Sequence, residues 1–234
     1  MKLIFEFSKI GDMVYISHLD LMRLFLRVLR MSGLKPAYSH GFNPHPKMSI
    51  ALPLPIGVLS TCELMEFEID ESILGVVNDE AIDKAIFIAN QRMPEGIQIK
   101  RWYKKPEIAN KSLASQVSAA VYEFMCDKIE DAPNKLESFF ERESIIIKKI
   151  DKKTGAEIDK DVRKMMLDYR VVKDMSGRML AEATLSAAPG QTLGPIVFFK
   201  AFCEASGLET ASLMPIITRT TIIGNNKKPI TEIL

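Results

Sequence analysis

Ser17-His18-Leu19-Asp20-Leu21-Met22-Arg23-Leu24-Phe25-Leu26-Arg27-Val28-Leu29-Arg30-Met31 is the stretch on which the fold turns. Ser17 followed three residues later by Asp20 matches the capping pattern that opens a helix, and apolar residues then recur at helical spacing. This predicts a helix from Ser17 to about Met31, stopped at Gly33. Just upstream, residues 2–8 (KLIFEFS) alternate and are rich in β-formers, which reads as a strand.

Working outward, Lys35–Ser39 and Lys47–Leu52 read as short extended segments, the second ending at the Pro53/Pro55 break. Cys62–Asp70 alternates as a strand. Asn78–Arg92 reads as an amphipathic helix capped by Asn78 and stopped near Pro94, and Gly96–Lys104 as a strand. The second half repeats the order. Val117–Lys128 is expected as a strand, Asn134–Glu143 as a helix and Ser144–Ile150 as a strand. A turn follows around Lys153-Thr154-Gly155. Strands are then expected at Met166–Lys173 and Arg178–Leu185, hinged at Ser176-Gly177, before a helix at Thr192–Ala205 and a last strand at Pro215–Gly224. Two successive β-α-β-β-α-β orders predict an α+β chain of two tandem ferredoxin-like domains with antiparallel sheets. The expected domains are 1–105 and 116–234, joined by a linker at 106–115.

The composition fits this. With 47% hydrophobic and 26% charged residues, the 234-residue chain has the make-up of an ordinary globular protein rather than a disordered one. Lys+Arg 31 against Asp+Glu 30 leaves a net charge of +1, so any nucleic-acid surface must come from local clustering. The N-terminus has no long apolar core or small-residue cleavage site, and no apolar run approaches a membrane span. Cys62, Cys126 and Cys203 are odd in number and far apart, which suits buried small hydrophobes in a reducing cytoplasm. The expected location is cytoplasmic, with no membrane partner.

Three features carry candidate chemistry. On the first helix, Arg23, Arg27 and Arg30 fall within about 60° of one another, with Asp20 at their border and the apolar residues opposite. Arginine's planar fork suits phosphate, although a solvated helix face is the plain alternative. The second feature is the loop Tyr38-Ser39-His40-Gly41-Phe42-Asn43-Pro44-His45-Pro46-Lys47, which Gly, Asn and Pro should make stiff and shaped. It holds two of the three histidines, and the third is His18. These imidazoles admit three readings: a metal site with no completing ligand pattern, a metal-independent acid and base pair acting on RNA, or a rigid recognition loop. The third reading is preferred, with His18, Asp20, Tyr38, Ser39, His40, Gly41, Phe42, Asn43 and His45 forming it and no metal expected. The third feature is the densest basic run, Lys100-Arg101-Trp102-Tyr103-Lys104-Lys105, which includes the only tryptophan and has the mixture that pairs phosphates and stacks bases. Lys100, Arg101, Trp102, Lys104 and Lys105, with Lys47 and the three arginines, make up the expected nucleic-acid surface. A charged strand end is the plain alternative.

Other templates are missing: there is no phosphate-cradling Gly-rich loop, no G-x-G-x-x-G after a strand and no nucleophile elbow. Ser186–Gln191 reads as a turn before a helix. Asp161-Val162-Arg163 and Arg219 read as structural charges.

These residues resemble the radical-SAM-linked family of unknown function, whose members occur alone or fused to cobalamin-dependent radical SAM proteins. The resemblance rests on Tyr15-Ile16-Ser17-His18-Leu19-Asp20, Arg27 with Arg30, and Tyr38-Ser39-x-Gly41-Phe42-Asn43-Pro44-His45-Pro46-Lys47. Pro53-Leu54-Pro55-Ile56-Gly57 with Glu63, Asp161-Val162-Arg163 and Gly190…Pro195 extend it over nearly the whole chain. Met31 departs from it, standing where the family tends to carry another arginine. The resemblance implies a radical SAM partner that carries the iron–sulfur cluster, the S-adenosylmethionine and the cobalamin. This chain lacks C-x-x-x-C-x-x-C and is expected to hold no cofactor of its own. The expectation is a non-catalytic accessory protein that binds substrate RNA. The alternatives are a metal-independent endoribonuclease using His18, His40 or His45, and a protein-docking module with no affinity for nucleic acid.

Overall fold

The computed structural model describes residues 1–70, 78–105, 111–126, 129–151, 154–173 and 179–232. The chain forms two compact units, Met1–Val117 with Gly224–Leu234, and Ser118–Ile223. The class is α+β, with antiparallel strand pairing in each unit.

The first unit starts with strand β1 (Lys2–Lys9), in which seven of eight residues are buried. The alternating sequence calls for one wet face, but Glu6 and Ser8 are covered too. Helix α1 (His18–Met31) follows. Its first turn is closed by Ser17, whose Oγ accepts the Asp20 N–H at 3.1 Å. Leu21, Phe25, Val28 and Leu29 are the buried face, and the Phe25 ring lies 4.6 Å from that of Phe7. Each such side chain contributes roughly 1.5–3 kcal/mol by leaving water. The helix ends as expected at Gly33, whose φ of +99° is costly for any residue with a Cβ. The Gly33 N–H reaches Arg30 O, the Leu34 N–H reaches Leu29 O at 2.9 Å, and Leu34 and Leu29 are both buried. These are the two bonds and the apolar contact of a Schellman stop.

Strands β2 (Met48–Ile50) and β3 (Leu59–Glu68), helix α2 (Asp79–Asn90) and strand β4 (Ile97–Lys104) complete the β-α-β-β-α-β order. The strands lie in the order β2-β3-β1-β4, with Leu3 opposite Phe67 and Phe5 opposite both Met65 and Trp102. Asn78 caps α2 by accepting the Ala81 N–H at 2.9 Å. Gly96 precedes β4 with φ +96°, and a Cβ there would sit 2.2 Å from the Ile10 carbonyl oxygen. Only glycine allows the Ile10 N–H to bond Gly96 O at 2.9 Å. Residues 111–116, partly within the expected linker, are held on this unit. Leu113 is buried, its N–H donates to the Glu66 carboxylate at 3.0 Å, and Asn225 N–H donates to Gln116 O. The rest of that linker, 106–110, lies outside the described residues.

In the second unit, β5 (Val117–Cys126) leads to α3 (Ala132–Glu141), which starts two residues earlier than expected because Pro133 suits a first helical turn. Strands β6 (Ile146–Ile150) and β7 (Glu157–Asp161) form a separate two-stranded hairpin. β7 (Glu-Ile-Asp-Lys-Asp) was not expected, since its composition carries little strand preference and only pairing with β6 orders it. Then come β8 (Met166–Lys173), β9 (Met179–Ala188), β10 (Gln191–Thr192), α4 (Pro195–Ala205), α5 (Thr210–Leu213) and β11 (Ile216–Gly224). The order is β10-β9-β5-β11, with β8 also on β9. The expected helix at 192 starts instead at Pro195, because Gln191 and Thr192 pair back onto Ala188 and Ala187. Phe124, Phe139, Phe198 and Phe202 form the aromatic centre of this unit, with Phe139 edge-on to Phe198 and Phe202. The expected hinge Ser176-Gly177, and Lys128, Lys152 and Lys153, lie outside the described residues.

The three cysteines are buried and none is in a disulfide. Among the described residues no helix is long and apolar enough to cross a membrane.

Candidate nucleic-acid interface

Helix α1 turns Arg23, Arg27 and Arg30 outward as its periodicity predicts, and all three are exposed around a shallow depression they share with Leu26 and Met31. Among the described residues only Arg23 has an acid: its Nη1 donates to Asp20 Oδ1 at 3.0 Å. The Ser17 hydroxyl also donates to Asp20 Oδ2 at 2.7 Å. That bond, and then the Arg23 guanidinium, hold the Asp20 carboxyl below the usual carboxylate range. Among the described residues Arg27 and Arg30 make no ion pair. Two guanidinium groups on one helix face, about 5 Å apart along its axis, repel each other and favour an anion between them.

The Tyr38–Lys47 segment is a hairpin springing from the end of β3. Lys47 N–H donates to Ala37 O at 2.8 Å, Ser39 N–H to His45 O at 2.8 Å and His45 N–H to Ser39 Oγ at 2.9 Å. Tyr38 and Pro46 pair across it, and Ala37 N–H and Lys47 O are both tied to the Glu68 backbone. His40 to His45 are all exposed, with Phe42 fully so. Lys47 is held by Glu68, which its Nζ meets at 2.8 Å, so its charge is partly spent.

The structure separates the three imidazoles. α1 begins at the Ser60 end of β3, where Lys9 pairs with Ser60 and Val14 O accepts the Gly57 N–H. The hairpin rises from the Glu68 end, eight residues and about 26 Å away along the strand. His40 and His45 lie within two residues of the Tyr38–Pro46 pair, so they do not reach His18. No group of three His, Cys, Asp or Glu among the described residues has metal-holding geometry.

The basic run at the end of β4 lies elsewhere, and most of its charges meet an acid. Arg101 Nε and Nη2 bind the Glu6 carboxylate at 2.9 and 3.2 Å, and the Tyr103 hydroxyl donates to the same group at 3.0 Å. Glu6, its side chain only 7% exposed, holds Arg101, whose own side chain stays 65% exposed. Burial, then that bond, pushes the Tyr103 phenol up. Trp102 is partly buried against the core and its Nε1–H donates to Asp83 at 2.7 Å, which fixes the orientation of the ring. Lys104 pairs with Asp79. The Lys105 side chain is 3% exposed, with Nζ 3.0 Å from both Glu66 oxygens and 2.7 Å from Lys111 O. Lys105 therefore presents no charge to a ligand, correcting its place in the expected surface. Lys100 is exposed and donates to Thr61 O.

One group escaped the sequence reading. Tyr15, Leu19 and Ile56 are all more than half exposed, and the Gly57–Val14 bond sets Ile56 beside the turn that carries Tyr15. The signal was present in Leu19, which falls on the arginine side of the α1 wheel rather than the apolar side. In the second unit, Asp161 accepts the N–H groups of Ile145 and Arg163, which hold its carboxyl low, while Arg163 lies over the Phe140 ring. Both are structural, and Arg219 is fully buried.

A family model described as "Uncharacterized protein conserved in bacteria (DUF2344)" matches residues 2–195. No curated protein matches the chain.

Proposed function

The chain belongs to this family of conserved bacterial proteins, and on that premise we propose that it is a non-catalytic accessory protein that binds RNA for a radical SAM modification enzyme. The observation that carries the RNA reading is the α1 face, where Arg27 and Arg30 stand exposed without an acid among the described residues. An uncompensated arginine pair on a rigid helix suits two successive phosphates. The link to a radical SAM enzyme is supported by the Ser17-His18-Leu19-Asp20 and Gly41–Pro46 motifs. With no C-x-x-x-C-x-x-C in the chain, cluster, S-adenosylmethionine and cobalamin belong to the partner.

The test is the salt dependence of RNA binding by the full chain. If Arg23, Arg27 and Arg30 each neutralise one phosphate, the affinity for a single strand falls with a log–log slope of about −2. Arg27→Gln reduces that slope and Lys104→Gln leaves it unchanged. Protein purified from its native cells without nuclease carries an absorbance at 260 nm that a salt wash removes. A clean protein spectrum before and after the wash, with no RNA bound at low salt, overturns the reading.

The endoribonuclease alternative loses His18 to the separation described above, leaving His40 and His45 on an exposed hairpin. The protein-docking alternative has an observation of its own in exposed Tyr15, Leu19 and Ile56. That end of the unit suits the radical SAM partner, while the arginine face suits RNA. Tyr15→Ser with Ile56→Ser then releases the partner and leaves RNA affinity intact.

A further inference from the structure

We infer that Phe42 is a base-stacking residue, and hence that the RNA bound by this chain is unpaired, either single-stranded or looped, rather than duplex. The inference rests on the RNA reading and adds the substrate class. A phenylalanine held wholly in solvent is unusual, because the ring gains by turning onto any apolar neighbour. Here the backbone forbids that. The hairpin is clamped at its base by the Ser39–His45 and Ala37–Lys47 bonds. Gly41 has φ +125°, a conformation side chains rarely adopt, and Pro44 and Pro46 restrict the return strand. Phe42 is thus presented on a stiff mount, and little ordering remains to be done on binding.

Its neighbours select the partner. His40 and Asn43, within two residues of Phe42 in the chain, are exposed and can offer hydrogen bonds to a base edge. The hairpin joins β3 at the Glu68 end, and this is also the end where α1 finishes, since Asp70 N–H bonds Lys35 O. Arg30, in the last turn of α1, is exposed at that end of the unit, and a phosphate of the strand whose base meets Phe42 is the anion assigned to it. An exposed aromatic ring on a unit that also carries unpaired guanidinium groups suits unpaired nucleotides, since a paired base in an A-form helix offers no open face and its major groove is too narrow for a side chain.

The experiment uses the full chain with a 2-aminopurine-labelled RNA decamer, free and annealed to its complement. Wild type is expected to quench the probe and to bind the single strand about tenfold more tightly than the duplex. Phe42→Ala should lose the quench and about tenfold in single-strand affinity with duplex binding unmoved, a loss within the range for removing one stacked base. Phe42→Trp should restore both. Among the described residues the ring is fully exposed, so thermal stability should not change. Equal binding of both RNAs, with Phe42→Ala silent and Arg27→Gln weakening both, overturns the inference and leaves the RNA reading standing. No binding of either RNA at low salt overturns both. Loss of a copurifying protein on Phe42→Ala, without RNA binding, makes the tip a protein contact and overturns the inference too.

Discussion

Arg23, Arg27 and Arg30 on α1 and Lys100 to Lys105 at the end of β4 are two basic clusters in the same unit, and the denser one has more of its charges paired with acids. On β4, Glu6, Asp79 and Glu66 each take a basic side chain, and Asp83 takes the tryptophan. On α1 only Asp20 is present, and it serves Arg23. Cross-strand register brings Glu6 opposite Arg101 from 95 residues away, whereas the helix face meets only what its own turns supply. Charge density along a chain is therefore a poor guide to potential, which depends on what the fold places opposite.

The largest effect that would sharpen this contrast is at the buried pair. Glu66→Ala leaves Lys105 charged and enclosed and should cost about 3 kcal/mol in urea denaturation. Glu66→Leu with Lys105→Met should recover most of that, and failure to recover would show that the Lys111 and Leu113 bonds carry the effect. Next, Arg27→Gln with Arg30→Gln should lower RNA affinity about tenfold at moderate salt, while Lys100→Gln with Lys104→Gln changes it less than twofold. Equal losses in the two variants would break the comparison. Ser17→Ala removes the cap that starts the arginine helix and should cost about 1 kcal/mol, read from the thermal midpoint. The smallest effect is the pH dependence of Asp20. Its carboxyl is held below the ordinary value of 3.8 in the folded chain, so its contribution is complete above that value and disappears as pH falls through the lowered one. Midpoints of wild type and Asp20→Asn should differ near neutrality and converge in strong acid.

Much of this was legible in advance for local reasons. Ser17 and Gly33 bound α1 through bonds within three to five residues, and the wheel set the arginines outward. The stiffness of the Tyr38–Lys47 loop likewise follows from Gly41, Pro44 and Pro46. β7 was missed because Glu157–Asp161 has no strand signal of its own and is ordered by register with β6. The start of α4 was misplaced by three residues because Gln191 and Thr192 are taken by β9.

By itself, then, the sequence determined the α+β class, the α1 boundaries, the arginine stripe and a turn-rich loop at Tyr38–Lys47, all of which depend on dihedral preferences and near-neighbour spacing, while the pairing that makes this loop a hairpin came from the structure. Only the tertiary structure decided which charges remain available, that His18 stands at the opposite end of β3 from His40 and His45, and that Phe42 faces solvent. Those three depend on which distant residues strand pairing sets side by side, and pairing between remote segments leaves no mark within either one.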